Sequence, residues 1–368
     1  MKYKKVKLGE VCTYQKKSSI KAGDGENNGI YPFFTSSTTQ SKFLDSFQFE
    51  EEGLIFGTGG KASVHFCNTK FSVSTDCVVL KEKKPETVFL RYVYYVVLGN
   101  MDVLESGFKG AGLKHVSKDY ISNLEIPLPD LPTQRHIAEV LDKADALRQQ
   151  NRQLLALYDQ LLQSTFIELF GDPVKNPKGW EVKRLGEVVE KIIGGGTPSR
   201  EKDEYFTGDI CWATSKDIKS RYLFDTQEHI TEDAISQSAT KLVDTGTILI
   251  VVKSKILMHT LPITITKVPV CFGQDLKGII PKHSLNTIFA VNQIKINEKQ
   301  LLSLARGVNT EGLTLPHLNN FPIILPPLPL QAHFAAIVAQ IEVQKAQAGR
   351  SLAESEELFE GLLAGYFG

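Results

Sequence analysis

Hydrophobic positions along this chain follow two different periods. In short stretches such as 53–56 (GLIF), 63–66 (SVHF), 77–80 (CVVL), 246–250 (GTILI) and 261–265 (LPITI), β-branched and aromatic residues crowd between turns rich in glycine, asparagine and lysine. That pattern predicts strands. From 133 to 170 there is no proline and no glycine, and Leu, Ala, Gln and Arg dominate, which predicts one uninterrupted helix. Pro132 is tolerated in a first turn, and Gly171 followed by Pro173 supplies a stop. A helix of that length spans roughly 57 Å at about 1.5 Å per residue, more than one small domain buries.

The same organisation occurs twice. Residues 115–171 and 312–368 superpose without a gap at an offset of 197, pairing YISNLEIPLPDLPTQRHIAEVL with HLNNFPIILPPLPLQAHFAAIV. Identical positions include Asn123/Asn320, Leu128/Leu325, Pro129/Pro326, Pro132/Pro329, Gln134/Gln331 and His136/His333. A shared Leu-Gly-Glu opens each half, at 8–10 and 185–187. The predicted plan is a variable region, a long helix, a second variable region and a second long helix. A heptad series Val140, Ala144, Leu147, Asn151, Leu154, Tyr158, Leu161, Thr165 maps onto Ile337, Ile341, Gln344, Ala348, Ser351, Ser355, Leu358, Leu362. The first helix is bulky where the second is small, so an antiparallel pair is expected, with Leu154 and Tyr158 resting on Ala348 and Ser351 and Leu147, Leu161 and Leu358 on the same seam. The alternative is two amphipathic helices, each packed on its own domain.

The ordered combination of IPLPDLPTQ (126–134), ILPPLPLQ (324–331), Leu-Gly-Glu and GGGTPS (194–199) resembles the specificity subunit of type I restriction-modification systems over essentially the whole chain. Where many members carry Glu-Gln at the helix start, this chain has Thr133-Gln134 and Leu330-Gln331. The fold implied is α+β: two mixed α/β target-recognition domains (1–132 and 172–329), separated by two long spacer helices (133–171 and 330–368) packed as an antiparallel coiled coil with a pseudo-twofold internal repeat. The resemblance implies a cytoplasmic, non-catalytic adaptor that reads a split target in double-stranded DNA. Its expected partners are two methyltransferase subunits, which use S-adenosylmethionine to methylate adenine N6, and, in some systems, a translocating endonuclease subunit. No cofactor is expected on this chain itself. Related readings are the recognition subunit of a two-subunit restriction-methylation system, and a helical scaffold with no DNA role.

Composition and charge sharpen this picture. The 42 Lys+Arg and 42 Asp+Glu cancel, which excludes a polybasic chain that grips nucleic acid by bulk charge. The balance is uneven: the helical stretches hold 4 basic against 5 acidic residues and 2 against 5, while the variable regions each carry a net charge of plus 2. Five scattered cysteines (Cys12, Cys67, Cys77, Cys211, Cys271), never in a Cys-x-x-Cys spacing, argue for buried free thiols rather than a zinc site or a disulfide framework. No run of about 18 apolar residues suggests a membrane span.

The chemistry motifs are consistent with an adaptor. GTGGKA at 57–62 lacks the spacing of a phosphate-binding P-loop, since position 55 is Ile55 and position 62 is Ala62. No Asn/Asp-Pro-Pro-aromatic methyltransferase tetrad occurs, and Pro129-Asp130 has no nearby metal-binding companions. No metal ligand set and no nucleophile–base set is nominated. DNA contacts are therefore assigned by residue type to the variable domains. In the first these are Lys16, Lys17, Lys21, Ser36, Ser37 and Thr38 within a polar run, Lys42, Lys61, Lys109 and Lys114. In the second they are Thr197, Ser199, Arg200, Lys216, Lys219, Arg221, Lys253 and Lys255, with the glycine run at 194–196 as a candidate phosphate loop. Asp76 and Asp275, 199 apart in similar strand contexts, are expected to be a shared scaffold feature.

Overall fold

The computed structural model describes residues 3–305 and 312–368. The chain divides into two compact units, Met1–Leu154 with Ala348–Gly368, and Leu155–Gln347. The division falls inside both long helices rather than at the boundaries expected from the sequence, so each unit owns one variable region and a part of each helix.

Each unit contains the same three sheets. In the first, strands Cys12–Tyr14, Cys77–Glu82, Gly53–Gly57 and Ser63–Cys67 lie in that order, antiparallel throughout. A smaller sheet places Tyr31–Phe34 between antiparallel Lys42–Leu44 and parallel Ser72–Val73. Lys5–Lys7 pairs with Glu125–Pro127. The second unit repeats each: Val189–Gly194, Leu276–Pro281, Ile248–Val251 and Ile263–Thr266, with Tyr222–Leu223 added at the edge; then Ile210–Ala213 between Glu228–Ile230 and Cys271–Phe272; then Glu181–Arg184 with Pro322–Leu325. The central strands Gly53–Gly57 and Ile248–Val251 are buried at every residue, because both faces of the sheet are covered, and this explains their unbroken apolar runs.

The long helices are Leu131–Phe170 and Leu328–Phe367, 40 residues each. A buried glutamine fixes the start of each. Gln134 accepts from the Phe89 N–H at 2.8 Å and donates to the Thr87 and Pro129 carbonyls at 2.9 and 2.8 Å. Gln331 accepts from the Asn286 N–H at 2.9 Å and donates to the Ser284 and Pro326 carbonyls at 3.3 and 2.8 Å. The first helix stops at Gly171, whose φ of +78° suits glycine. The free carbonyls of its last turn are satisfied from the following loop: Lys178 Nζ reaches Glu168 and Leu169, and the Trp180 indole reaches Phe170 at 2.8 Å.

Within each unit the helix segments run antiparallel. In the first, Arg148 stacks over the Phe359 ring at 3.8 Å, Asn151 donates to the Ser351 carbonyl at 3.2 Å, and Arg152 pairs with Glu356. In the second, Lys345 pairs with Asp159 at 2.6 Å and Phe166 meets Phe334 edge-on. The phase of the seam corrects the heptad reading. Leu147, Leu154, Leu161 and Leu358 are 44, 38, 46 and 49% exposed, and Ser351 is exposed, whereas Ala144, Ala348 and Ser355 are buried and Tyr158 is half-buried. The inward companions lie one residue further on: Arg148, Leu155 and Leu162 in the first helix, and Val338, Leu352 and Phe359 in the second. The doublets Leu154-Leu155 and Leu161-Leu162 offer leucine in either phase, so hydrophobicity alone does not choose between them.

The burial pattern sets two expectations for stability. Leu162→Ala, at a buried position, should cost about 2–5 kcal/mol, while Leu161→Ala should stay within about 0.5 kcal/mol. Thermal unfolding of both variants checks the phase; equal losses would restore the alternative seam. Gln134→Ala strands a buried N–H and two carbonyls, so a loss of at least about 1–3 kcal/mol is expected, seen as a lower Tm than in Gln150→Ala, on the exposed surface of the same helix.

Candidate nucleic-acid interface

Four loop segments gather at one end of the main sheet in the first unit, held by backbone and side-chain bonds, and described counterparts of the first three recur in the second. In the first unit they are residues 15–21, 35–38, the hairpin 58–62 and the stretch 109–115. The Asp76 carbonyl is their common anchor: it accepts from the Thr58 N–H at 2.8 Å, the Thr58 hydroxyl at 2.9 Å and the Ser36 hydroxyl at 2.7 Å. Beside it, the Thr75 N–H donates to the Ile20 carbonyl at 2.8 Å. The hairpin is tied to the fourth segment by the Gly60 N–H to the Lys114 carbonyl at 2.9 Å and the Val116 N–H to the Thr58 carbonyl at 3.0 Å. Gly60 has φ +83°, and the Glu105 carboxylate accepts the Ala62 N–H at 3.0 Å. A strand, Ser63–Cys67, follows this loop rather than a helix, so the architecture of a P-loop is absent here.

The second unit rebuilds the anchor with different residues. The Asp275 carbonyl accepts from the Val252 and Lys253 N–H groups at 2.9 and 3.3 Å, and the Leu313 N–H donates to the Val252 carbonyl at 2.7 Å. The Gly273 N–H donates to the Ala213 carbonyl, as the Ser74 N–H does to that of Phe34. Asp76 and Asp275 thus occupy equivalent places, each acting through its backbone carbonyl.

The segments gather many of the residues nominated from the sequence. Lys16, Lys17 and Lys21 are exposed on the first segment, Ser37 and Thr38 on the second, Lys61 on the hairpin, and Lys109 and Lys114 on the fourth. Ser36 is half-buried by its bond to Asp76. In the second unit Thr197 and Ser199, Lys216, and Lys253 with Lys255 are exposed on the corresponding first three segments. Lys42 stands apart on the small sheet, its Nζ donating to Asn27 Oδ1 at 2.9 Å.

Three expectations change. Arg200 is engaged by both oxygens of Glu228 and lies over the rings of Phe206 and Trp212 at 4.3 and 5.0 Å, so it clamps the small sheet; Glu228 holds its guanidinium pKa above the usual value. Arg221 points away from the loop cluster, its Nε donating to Glu342 on the second long helix at 2.7 Å, and Lys219 lines the same cleft. The glycine run is packed rather than open. A Cβ on Gly195 would lie 2.2 Å from the Gly273 carbonyl, and one on Gly196 would lie 2.4 Å from the backbone of Ala239 and Thr240. The Gly196 carbonyl also accepts from the Trp212 indole at 3.2 Å.

Residue type and spacing missed two histidines. His115 Nδ1 sits 3.2 Å from the Thr58 carbonyl, and His65 Nε2 sits 2.8 Å from the Ser37 carbonyl. Burial pushes the His65 pKa down, which favours a neutral ring. All five cysteines are buried free thiols, and burial raises Cys77 and Cys271 to about 11 and Cys12 to about 12, so these three stay protonated at neutral pH. Among the described residues no helix is long and apolar enough to cross a membrane.

Comparison with known proteins gives a consistent picture. The family model described as type I restriction modification DNA specificity domain matches residues 1–156 and 177–347. The type I restriction enzyme EcoR124I/EcoR124II specificity subunit of Escherichia coli is 28% identical over 91% of this chain and 85% of its own length. The MjaVIII specificity subunit of Methanocaldococcus jannaschii is 24% identical over 92% and 85%. Among solved structures, a type I restriction-modification system S subunit from M. genitalium superposes with a TM-score of 0.67 at 16% identity, covering 100% of this chain and 96% of that one.

The packed glycine run makes one further prediction. Gly196→Ala must displace the backbone at Ala239 and Thr240 and should cost about 1–3 kcal/mol, whereas Thr197→Ala next to it, exposed, should leave stability within about 0.5 kcal/mol. Paired thermal melts decide; an unperturbed Gly196→Ala would mean that the loop is open after all.

Proposed function

Because the chain belongs to the type I restriction modification DNA specificity domain family, we propose that each of its two units reads one half of a split DNA target through its loop cluster. The observation that carries this reading is the paired anchor: backbone carbonyls of Asp76 and Asp275 hold equivalent loops whose exposed side chains differ. A shared scaffold with different side chains can read two different half-sites, as dimeric readers place identical ones. Lysines such as Lys16, Lys17, Lys61, Lys253 and Lys255 supply phosphate contacts, which set register, while Ser37, Thr38, Thr197, Ser199 and Lys216 offer the donors and acceptors that base edges require.

In this reading the chain is non-catalytic. Two methyltransferase partners bind S-adenosylmethionine and methylate adenine N6, and an endonuclease subunit joins where restriction accompanies modification. The long helices supply docking surfaces for the methyltransferases: Leu147, Leu154 and Leu358 in the first unit, and Leu157, Leu161 and Val343 in the second, remain exposed after the helices have packed. Acidic helices and mildly basic loop domains fit a neutral subunit whose partners contribute much of the grip on DNA.

The test uses the assembled complex. Lys61→Ala with Lys109→Ala should weaken DNA binding and flatten its salt dependence by about 1 in log–log slope for each phosphate that is no longer neutralised. Lys219→Ala, in the cleft against the helices, should leave both unchanged. Fluorescence anisotropy over a salt series reads the difference; an effect of Lys219→Ala equal to that of the loop variants would refute the placement of the interface.

A further inference from the structure

The small sheet of the second unit brings three side chains of different chemistry to one point. Cys211 on strand Ile210–Ala213 and His229 on strand Glu228–Ile230 are direct cross-strand partners. Asp225, on the segment joining the strands and four residues before His229, reaches back to both. Its Oδ1 lies 3.5 Å from Cys211 Sγ and 2.8 Å from His229 Nε2, and the three ligand atoms all fall within 4.8 Å of one another. Among the described residues this is the one such group of three or more His, Cys, Asp or Glu side chains.

We propose that Cys211, Asp225 and His229 bind a divalent ion of the zinc class, which clips the two strands and their connection together in the second unit alone. The donor set of one thiolate sulfur, one imidazole nitrogen and one carboxylate oxygen matches borderline-soft zinc rather than calcium or magnesium, which take oxygen. With metal–ligand distances of about 2.0–2.3 Å, a tetrahedral ion needs its ligand atoms about 3.3–3.8 Å apart. The sulfur–oxygen pair already meets that spacing. The imidazole and carboxylate must part by roughly half an ångström, exchanging their mutual hydrogen bond for two bonds to metal. The Asp225 side chain is 73% exposed and that of His229 32% exposed, leaving the outer side open for a water as fourth ligand.

The carboxylate is oriented before any ion arrives. The Thr226 N–H donates to Asp225 Oδ1 at 2.8 Å, and Thr226 Oγ1 accepts from the Trp212 N–H at 3.0 Å, fixing the connection to the strand that carries Cys211. This backbone bond, followed by the contacts with His229 and Cys211, holds the Asp225 pKa below the usual carboxylate value. Burial raises the Cys211 thiol pKa, so binding releases one proton to solvent as the sulfur becomes a thiolate, and the hydrogen on His229 Nε2 passes through solvent to Nδ1 as Nε2 takes the metal. The first unit offers no counterpart: its corresponding cross-strand pair is Pro32 with Phe43, neither able to ligate. The site is therefore an addition to one repeat.

The experiment titrates the full chain, stripped with a chelator, with Co²⁺ as the spectroscopic probe and Zn²⁺ as competitor. One equivalent of Co²⁺ should bind with a sulfur-to-cobalt charge-transfer band and the visible bands of tetrahedral cobalt, and Zn²⁺ should displace it. His229→Ala and Asp225→Asn should each weaken binding at least 10-fold, Cys211→Ser should abolish the charge-transfer band, and exposed His259→Ala should change neither. Circular dichroism checks that each variant is folded; Asp225→Asn, at an exposed side chain, keeps the test decisive should Cys211→Ser not fold. Absence of the thiolate band in the wild-type chain, or binding unaltered in both His229→Ala and Asp225→Asn, would overturn the proposal and leave a hydrogen-bonded triad only. Both outcomes are independent of DNA binding.

Discussion

The start of each long helix hangs on a buried side-chain amide. Gln134 and Gln331 each satisfy one backbone N–H and two carbonyls of segments that would otherwise lose water without gaining a partner. Leaving such groups unpaired costs about 1–3 kcal/mol apiece, so the helix cannot begin elsewhere or turn about its axis without a large loss. Once that origin is set, the 3.6-residue period decides which residues of the following turns face inward within the same unit. Fully buried aromatics then close the far ends: Phe166 and Phe170 in the core of the second unit, Phe359 and Phe367 in that of the first.

That rigidity permits variation elsewhere. The loops proposed to read DNA are held at the Asp76 and Asp275 carbonyls by main-chain N–H groups, joined at Asp76 by the Ser36 and Thr58 hydroxyls, with glycine where φ is positive and a strand on either side of the hairpin. Main-chain anchoring makes no demand on the identity of most loop side chains. The two repeats can therefore share a scaffold and differ in what they present, which is what a reader of two unlike half-sites requires.

Much of this fold was legible before any coordinates. The gapless match of 115–171 with 312–368 announced two equivalent halves, and apolar runs at 53–56 and 246–250 marked the central strands, because a strand buried on both faces needs no polar alternation. Half of the heptad series, Ala144, Tyr158, Ala348 and Ser355, turns inward as read, while the other half was read one residue early, since adjacent leucines at 154–155 and 161–162 satisfy two phases equally. Arg200 and Arg221 looked like DNA contacts by type, yet their partners Glu228 and Glu342 are distant in sequence and invisible to spacing. The grouping of Cys211, Asp225 and His229 escaped for the same reason: its spacing follows no finger-like motif and becomes a cluster only when two strands pair.

The central claim is that sequence choice resides in the two loop clusters, one half-site each. The most direct measurement is methylome sequencing of a host that expresses the methyltransferase partner with this chain, or with a chain whose residues 35–38 and 58–62 come from a relative of different specificity. The exchange should alter one half of the methylated motif and leave the other half and the gap between them unchanged. A motif unaltered by the exchange, or altered in both halves, would contradict it.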